Sequence, residues 1–218
     1  MDKVWASADL AVADIQSGAT LLVGGFGEVG VPRSLISALA RRGVGDLTLV
    51  ANNCGSADDG IAELFARRLV RRAIVSFPLQ PGNDHFMAAY REGSVELDIV
   101  PQGTLAARLD AAGSGIGGLY TPAGVGTVLA EGRETRSING RTYLFELPLH
   151  GDVALVKASV ADAAGNLRYR RAARNFNPVM ARAASCTIAE VSSIVPLGTI
   201  DPDDVHSSGI YIDRVVLA

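Results

Sequence analysis

Apolar runs that alternate with amphipathic segments predict an α/β fold, an open and largely parallel sheet flanked by helices. The strand-like runs are Leu21–Val23, Leu47–Val50, Ala73–Ser76, Glu96–Val100, Val153–Ala158, Thr187–Val191 and Arg214–Leu217. Between them, Arg33–Arg42, Ile61–Arg68, Asp84–Glu92 and Thr104–Ala112 carry apolar residues at helical spacing. With 218 residues, 48% of them hydrophobic, the chain can bury a full core, and a single domain over residues 1–218 is expected. No linker or low-complexity tract divides it.

The first strand ends in a glycine-rich stretch, Gly24-Gly25-Phe26-Gly27-Glu28-Val29-Gly30, and Pro32 opens the helix that follows. Glycines let backbone N–H groups approach a ligand, and a helix N-terminus adds unpaired donors, so this loop is expected to receive an anionic or oxyanion-bearing group. Gly25-x-Gly27-x-x-Gly30 also matches the dinucleotide fingerprint. That motif needs an acid at the end of the second strand, where this chain has Ala51-Asn52-Asn53-Cys54-Gly55. Asp46 lies at the strand's other end, and Pro32 starts the helix after the third glycine instead of before it.

Loops beyond the carboxyl ends of parallel strands collect functional groups. Three such loops are Gly24–Gly30, Asn52–Gly55 and Pro101–Thr104. Gln102 is expected on a turn, with its helix starting near Thr104. The asparagines offer donors and acceptors without charge, although a left-handed turn is their ordinary use after a strand. Gly113–Gly126 reads as a long surface loop, and Glu131–Arg141 as a hairpin about Asn139-Gly140.

Twenty basic and 23 acidic residues give a net charge of −3, which offers no bulk attraction to nucleic acid. Arg67, Arg68, Arg71 and Arg72 read as the solvated end of a helix. No apolar stretch reaches the ~20 residues of a membrane helix, and the first residues lack the layout of a signal peptide. Cys54 and Cys186 build no disulfide framework, so a reducing, cytoplasmic setting is expected. His85, His150 and His206 are isolated and have no spacing for a metal, so no metal site is expected.

Gly24-Gly25-Phe26-x-x-x-Gly30-x-Pro32 resembles the signature of the α polypeptide of family I CoA-transferases. The same family order is kept by Asn52-Asn53-Cys54-Gly55, Pro101-Gln102-Gly103-Thr104-Leu105-Ala106, Thr121–Thr127, Glu131-Gly132-Arg133-Glu134, Ala173-Arg174-Asn175-Phe176-Asn177-Pro178 and Ile210–Arg214. One departure is Ser17-Gly18, where the family usually has Asp or Asn before the glycine. The resemblance implies the family's NagB-like α/β fold and a reaction that moves CoA between carboxylic acids, with CoA as substrate and no permanently bound cofactor.

It also implies that the nucleophile is absent. In the family, the β subunit carries a glutamate within Ser-Glu-Asn-Gly, which attacks the thioester and passes through an anhydride to a glutamyl-CoA thioester. No such stretch occurs here; Glu28, Glu63, Glu92, Glu96, Glu131, Glu134, Glu146 and Glu190 lie in other contexts. The chain therefore resembles half an enzyme that needs a β subunit, in a heterodimer usually doubled to a heterotetramer. Gln102 matches the position whose side-chain amide forms half of the oxyanion hole. Gly24, Gly25, Phe26, Gly27, Gly30, Asn52 and Asn53 fall at the substrate and CoA side, with Phe26 expected to pack at the loop base. Ser76–Phe86, Gly115–Gly118 and Leu147–His150 resemble the branch that exchanges CoA between succinyl-CoA and 3-oxoadipate in aromatic catabolism. The acetoacetate branch is the alternative. A Rossmann oxidoreductase and a non-catalytic α/β binding module are the readings from other classes.

Overall fold

The computed structural model describes residues 2–218. After a one-turn helix, α1 (Ala8–Ala11), the chain alternates β1 (Thr20–Val23), α2 (Arg33–Arg42), β2 (Leu47–Ala51), α3 (Ile61–Ala66), β3 (Val70–Val75), α4 (Asp84–Arg91), β4 (Glu96–Ile99) and α5 (Gln102–Gly113). A small excursion follows, made of β5 (Leu119–Thr121), β6 (Thr135–Ile138) and β7 (Arg141–Glu146). The chain then returns through β8 (Gly151–Asp162), β9 (Leu167–Arg168), α6 (Asn177–Ala183), β10 (Ala184–Val195) and β11 (Arg214–Leu217).

The main sheet runs β11-β10-β8-β1-β2-β3-β4 with every neighbour parallel, and β9 pairs antiparallel to β8. The strand order reverses between β1 and β8, so the loops leaving these two strands open a crevice at the sheet's carboxyl edge. Both faces are covered. Leu21, Val23, Val153 and Leu155 point toward Leu35, Leu39, Leu64 and Phe65 on one side. Leu22, Ala154 and Val156 face Leu105, Leu109 and Met180 on the other. Burial of both faces explains why these strands read as continuous apolar runs. Each fully buried Leu contributes about 1.5–3 kcal/mol.

Several boundaries differ from expectation. α5 begins at Gln102 instead of near Thr104, because Pro101, with its fixed φ, serves as the N-cap. Strand β3 begins at Val70, so Arg71 and Arg72 belong to the sheet and only Arg67 and Arg68 end the preceding helix. All four arginines are nevertheless half exposed and paired, to Glu63, Glu92, Glu96 and Asp98 respectively. β8 and β10 run well beyond the expected spans, pairing from Ala184–Gly151 to Val195–Asp162.

Gly113–Gly126 is not all loop, since β5 lies within it and pairs with β7. The turn at Asn139-Gly140 has φ of 51° and 78°, the two positive values of a type I′ hairpin joining β6 to β7. Among the described residues, no helix is long and apolar enough to cross a membrane.

Candidate active site

The loop after β1 is a tight turn held from below. Gly24 N–H extends the sheet by donating to the Leu155 carbonyl at 2.9 Å, and Phe26 and Val29 exchange hydrogen bonds at 3.0 and 3.1 Å. A Cβ on Gly24 would overlap Asn177 Oδ1, and one on Gly30 would lie 2.7 Å from the Ala173 carbonyl. Gly27, at the tip, has open space around it and a φ of 56°. The glycines thus divide: Gly24 and Gly30 admit the Ala173–Asn177 segment behind the loop, while Gly27 faces outward.

The expected anion site at the start of α2 is already filled. Ser34 N–H and Leu35 N–H donate to Glu190 Oε2 at 2.8 and 3.2 Å. Glu190 is fully buried, and its other oxygen pairs with Lys157 Nζ. The helix dipole and its free donors are satisfied by the chain's own carboxylate. Pro32 precedes this helix as N-cap, not as its first residue. The same loop is braced sideways, with Glu28 accepting from Arg33 at 2.6 Å and from Ser56 at 2.7 Å.

Asn52 and Asn53 follow β2 and are both buried. Neither adopts a positive φ; that conformation falls to Gly55, at 74°. Asn53 Oδ1 accepts from Gly55 N–H at 2.8 Å, and its Nδ2 donates to the Gly27 carbonyl at 3.2 Å, tying the second loop to the first. Asn52 Nδ2 reaches Gln102 Oε1 at 3.5 Å, tying the second loop to the third. Three loops that are far apart in sequence therefore meet beside one groove. Cys54, beside them, is fully buried, and burial pushes its thiol well above the usual range, so it stays protonated.

Gln102 is exposed at the first turn of α5 and makes no capping bond. Because its Oε1 faces Asn52, its Nε2 is left free, with no partner among the described residues. It lines a groove of about 350 Å³ with Phe26, Gly103, Ala106, Asn175, Phe176 and Val179. Phe26 is 48% exposed, which corrects its expected packing role: its ring walls the groove and leaves the loop base to Val31. Among the described residues, no glutamate lines this groove. Other hollows exist, one of about 480 Å³ beside Arg72, Asp98, Arg108 and Arg133. The strand-end loops converge on the Gln102 groove and not on that one.

The contribution of Asn175 was not legible from sequence. Its motif, Ala173–Pro178, stood out, but nothing in the spacing showed that residues so late in the chain would close under a loop near its start. Two of the three histidines have local roles: His85 pairs with Asp58 at 2.8 Å, and His206 Nδ1 accepts from Tyr169 N–H at 3.0 Å. Among the described residues, no group of three His, Cys, Asp or Glu is placed to hold a metal.

An open parallel sheet with three polar loops converging at its carboxyl edge defines an α/β protein with a ligand-sized groove beyond its strand ends. The family model for coenzyme A transferase matches residues 5–218, and the chain belongs to that family. The A-type component of a 3-oxoadipate CoA-transferase of Pseudomonas putida is 49% identical over 216 residues, covering 99% of this chain and 94% of that protein. The A-type component of a probable succinyl-CoA:3-ketoacid coenzyme A transferase of Bacillus subtilis is 48% identical, covering 100% and 90%.

Among solved structures, glutaconate coenzyme A-transferase from Acidaminococcus fermentans has the same fold, with a TM-score of 0.88 at 21% identity, covering 99% of this chain and 75% of that one. An acyl-CoA transferase from E. coli O157:H7 superimposes with a TM-score of 0.87 at 23% identity, and this chain spans 47% of its length.

Proposed function

We propose that this chain is the α component of a succinyl-CoA:3-oxoadipate CoA-transferase, supplying oxyanion stabilisation to a nucleophile carried by its partner. The observation that carries this reading is the free Gln102 Nε2 at a groove into which no described glutamate of this chain projects. Relatives of Pseudomonas putida and Acinetobacter baylyi named for 3-oxoadipate CoA transfer, at 49% and 48% identity, support the substrate. The acetoacetate-type reading stays beside it, since relatives named for succinyl-CoA:3-ketoacid transfer reach 48% and 50%.

In the proposed ping-pong cycle, the partner β subunit provides a glutamate carboxylate that adds to the succinyl-CoA carbonyl. The tetrahedral intermediate collapses with loss of CoA thiolate, leaving an acyl-glutamyl anhydride. The thiolate then attacks the glutamyl carbonyl, forming the enzyme thioester and releasing succinate. 3-Oxoadipate runs the same steps in reverse and leaves as its CoA thioester. Each addition places negative charge on a carbonyl oxygen, and one fixed donor there contributes about 3–4 kcal/mol. Gln102 Nε2 is that donor, with a backbone N–H of the partner as the second. Asn52 orients the Gln102 amide, Asn53 ties the Gly27 loop in place, and Phe26 forms the wall against which substrate and CoA lie. The assembly is a heterodimer doubled to a heterotetramer, working in the cytoplasm in the breakdown of aromatic compounds.

The test is reconstitution. The purified chain alone should show no CoA transfer, and co-expression with the β subunit should restore it. The assembled enzyme should have a higher kcat/KM for 3-oxoadipate than for acetoacetate. Turnover by the single chain would overturn the half-enzyme reading, and a preference for acetoacetate would overturn the substrate.

A further inference from the structure

Asn175 has every hydrogen-bonding position of its side chain engaged, with partners in the loop after β1, in its own turn and at the start of α6, where Asn177 Nδ2 donates to its Oδ1 at 3.3 Å. Its Oδ1 accepts from Gly25 N–H at 3.1 Å and from Phe176 N–H at 2.6 Å. Its Nδ2 donates to the Val29 carbonyl at 2.9 Å and to the Ala172 carbonyl at 3.0 Å. Gly25 and Val29 are the two feet of the turn whose tip is Gly27-Glu28, so one amide grips both. No donor or acceptor is left over for a ligand.

The backbone at Asn175 is held at φ 20°, ψ −121°, a sparsely populated conformation that persists only where its surroundings over-determine it. The floor beneath it is set by Asn177, which is fully buried. Asn177 Oδ1 accepts from Lys157 N–H at 2.9 Å, and its Nδ2 donates to the Gly30 and Ala173 carbonyls at 3.1 and 2.9 Å. The turn that carries Phe26 to the groove wall is thereby referenced to β8 and α6, the same side of the groove from which Phe176 and Val179 project.

We infer that Asn175 is a positioning residue for substrate binding: it lines the groove but has no polar group free for a ligand, and acts by fixing the Gly25–Val29 turn so that Phe26 stands at the groove with Gln102. This rests on the groove being the substrate site. Asn175→Asp keeps the shape and the acceptor but replaces the donor to Val29 and Ala172 with charge, which turns attraction to both carbonyls into repulsion.

The experiment is a double-mutant cycle on the assembled enzyme, with Asn175→Asp, Phe26→Ala and the pair, each measured for kcat, KM and melting temperature. Asn175→Asp and Phe26→Ala should each raise KM for the acyl-CoA roughly 10-fold, with a smaller change in kcat. The double variant should be little worse than either single one, because both remove the same wall. Effects that multiply would overturn the inference, as would an unchanged KM in Asn175→Asp. An unchanged KM in Phe26→Ala beside a raised one in Asn175→Asp would also overturn it, because Asn175 would then act by another route. Should Asn175→Asp not assemble, Asn175→Ser replaces it; failure of both to assemble assigns the residue to folding alone and ends the proposal. Gln102→Ala with normal turnover would remove the oxyanion role while leaving this cycle intact, so the two readings fail separately.

Discussion

The chain twice passes from a parallel strand through a proline into a helix, once at Pro32 and once at Pro101, and the two crossings are put to opposite uses. Neither proline-led N-terminus has a capping side chain of its own. At α2, the vacancy is filled from β10 by Glu190, a buried carboxylate that is itself neutralised by Lys157. At α5, no such group arrives among the described residues, and the first turn opens on the groove with the amide of Gln102 at its rim. Sequence grammar alone makes the first an anion site and the second a turn. Which one can meet a ligand is decided by what the rest of the sheet delivers to each.

Removing Glu190 should produce the largest effect and would break the contrast directly. Glu190→Ala strands a part-buried ammonium and two helix donors, and unfolding free energy should fall by about 3–5 kcal/mol. Denaturant titration reads this, and an unchanged midpoint would mean that α2 was never capped from within. At the other crossing, Gln102→Ala should lower kcat by roughly 10²-fold or more with little change in KM. Its melting temperature should stay near wild type, since the side chain caps nothing. Near-normal turnover would take Gln102 off the catalytic list.

The glycine loop of the first crossing sharpens the comparison further. Gly24→Ala forces a Cβ into Asn177 and should prevent normal assembly or shift the melting temperature sharply. Gly27→Ala meets open space, and its positive φ should cost about 1 kcal/mol, with the fold intact. Equal losses at the two positions would refute the division of the loop into an inner and an outer side.

The alternating pattern made the sheet legible because buried parallel strands are apolar on both faces. Leu21–Val23 and Arg214–Leu217 were visible for that reason, and Arg33–Arg42 by its helical spacing. The excursion of β5, β6 and β7 was only half visible: Asn139-Gly140 announced its turn, but half-exposed strands such as Leu119–Thr121 carry no apolar run. α6, at seven residues, was too short for periodicity to register. At the site, the loop residues could be named from sequence, but the work of Glu190, Asn175 and Asn177 could not. Each acts across more than a hundred residues of chain, and local pattern holds no information about such a meeting.

That separation has a consequence during synthesis. The Gly25 amide and the Asn175 carboxamide that holds it are 150 positions apart. At the ~5–20 residues per second of a ribosome, the glycine turn waits roughly 8–30 s before its clamp is made. For most of that interval β1 can pair with β2, but its other edge stays open until β8 is made. The groove draws its lining from Phe26 to Val179, so it is among the last parts to take shape, and a chain interrupted before its final forty-odd residues would hold β1–β4 and β8 but neither β10 nor β11, and no formed site.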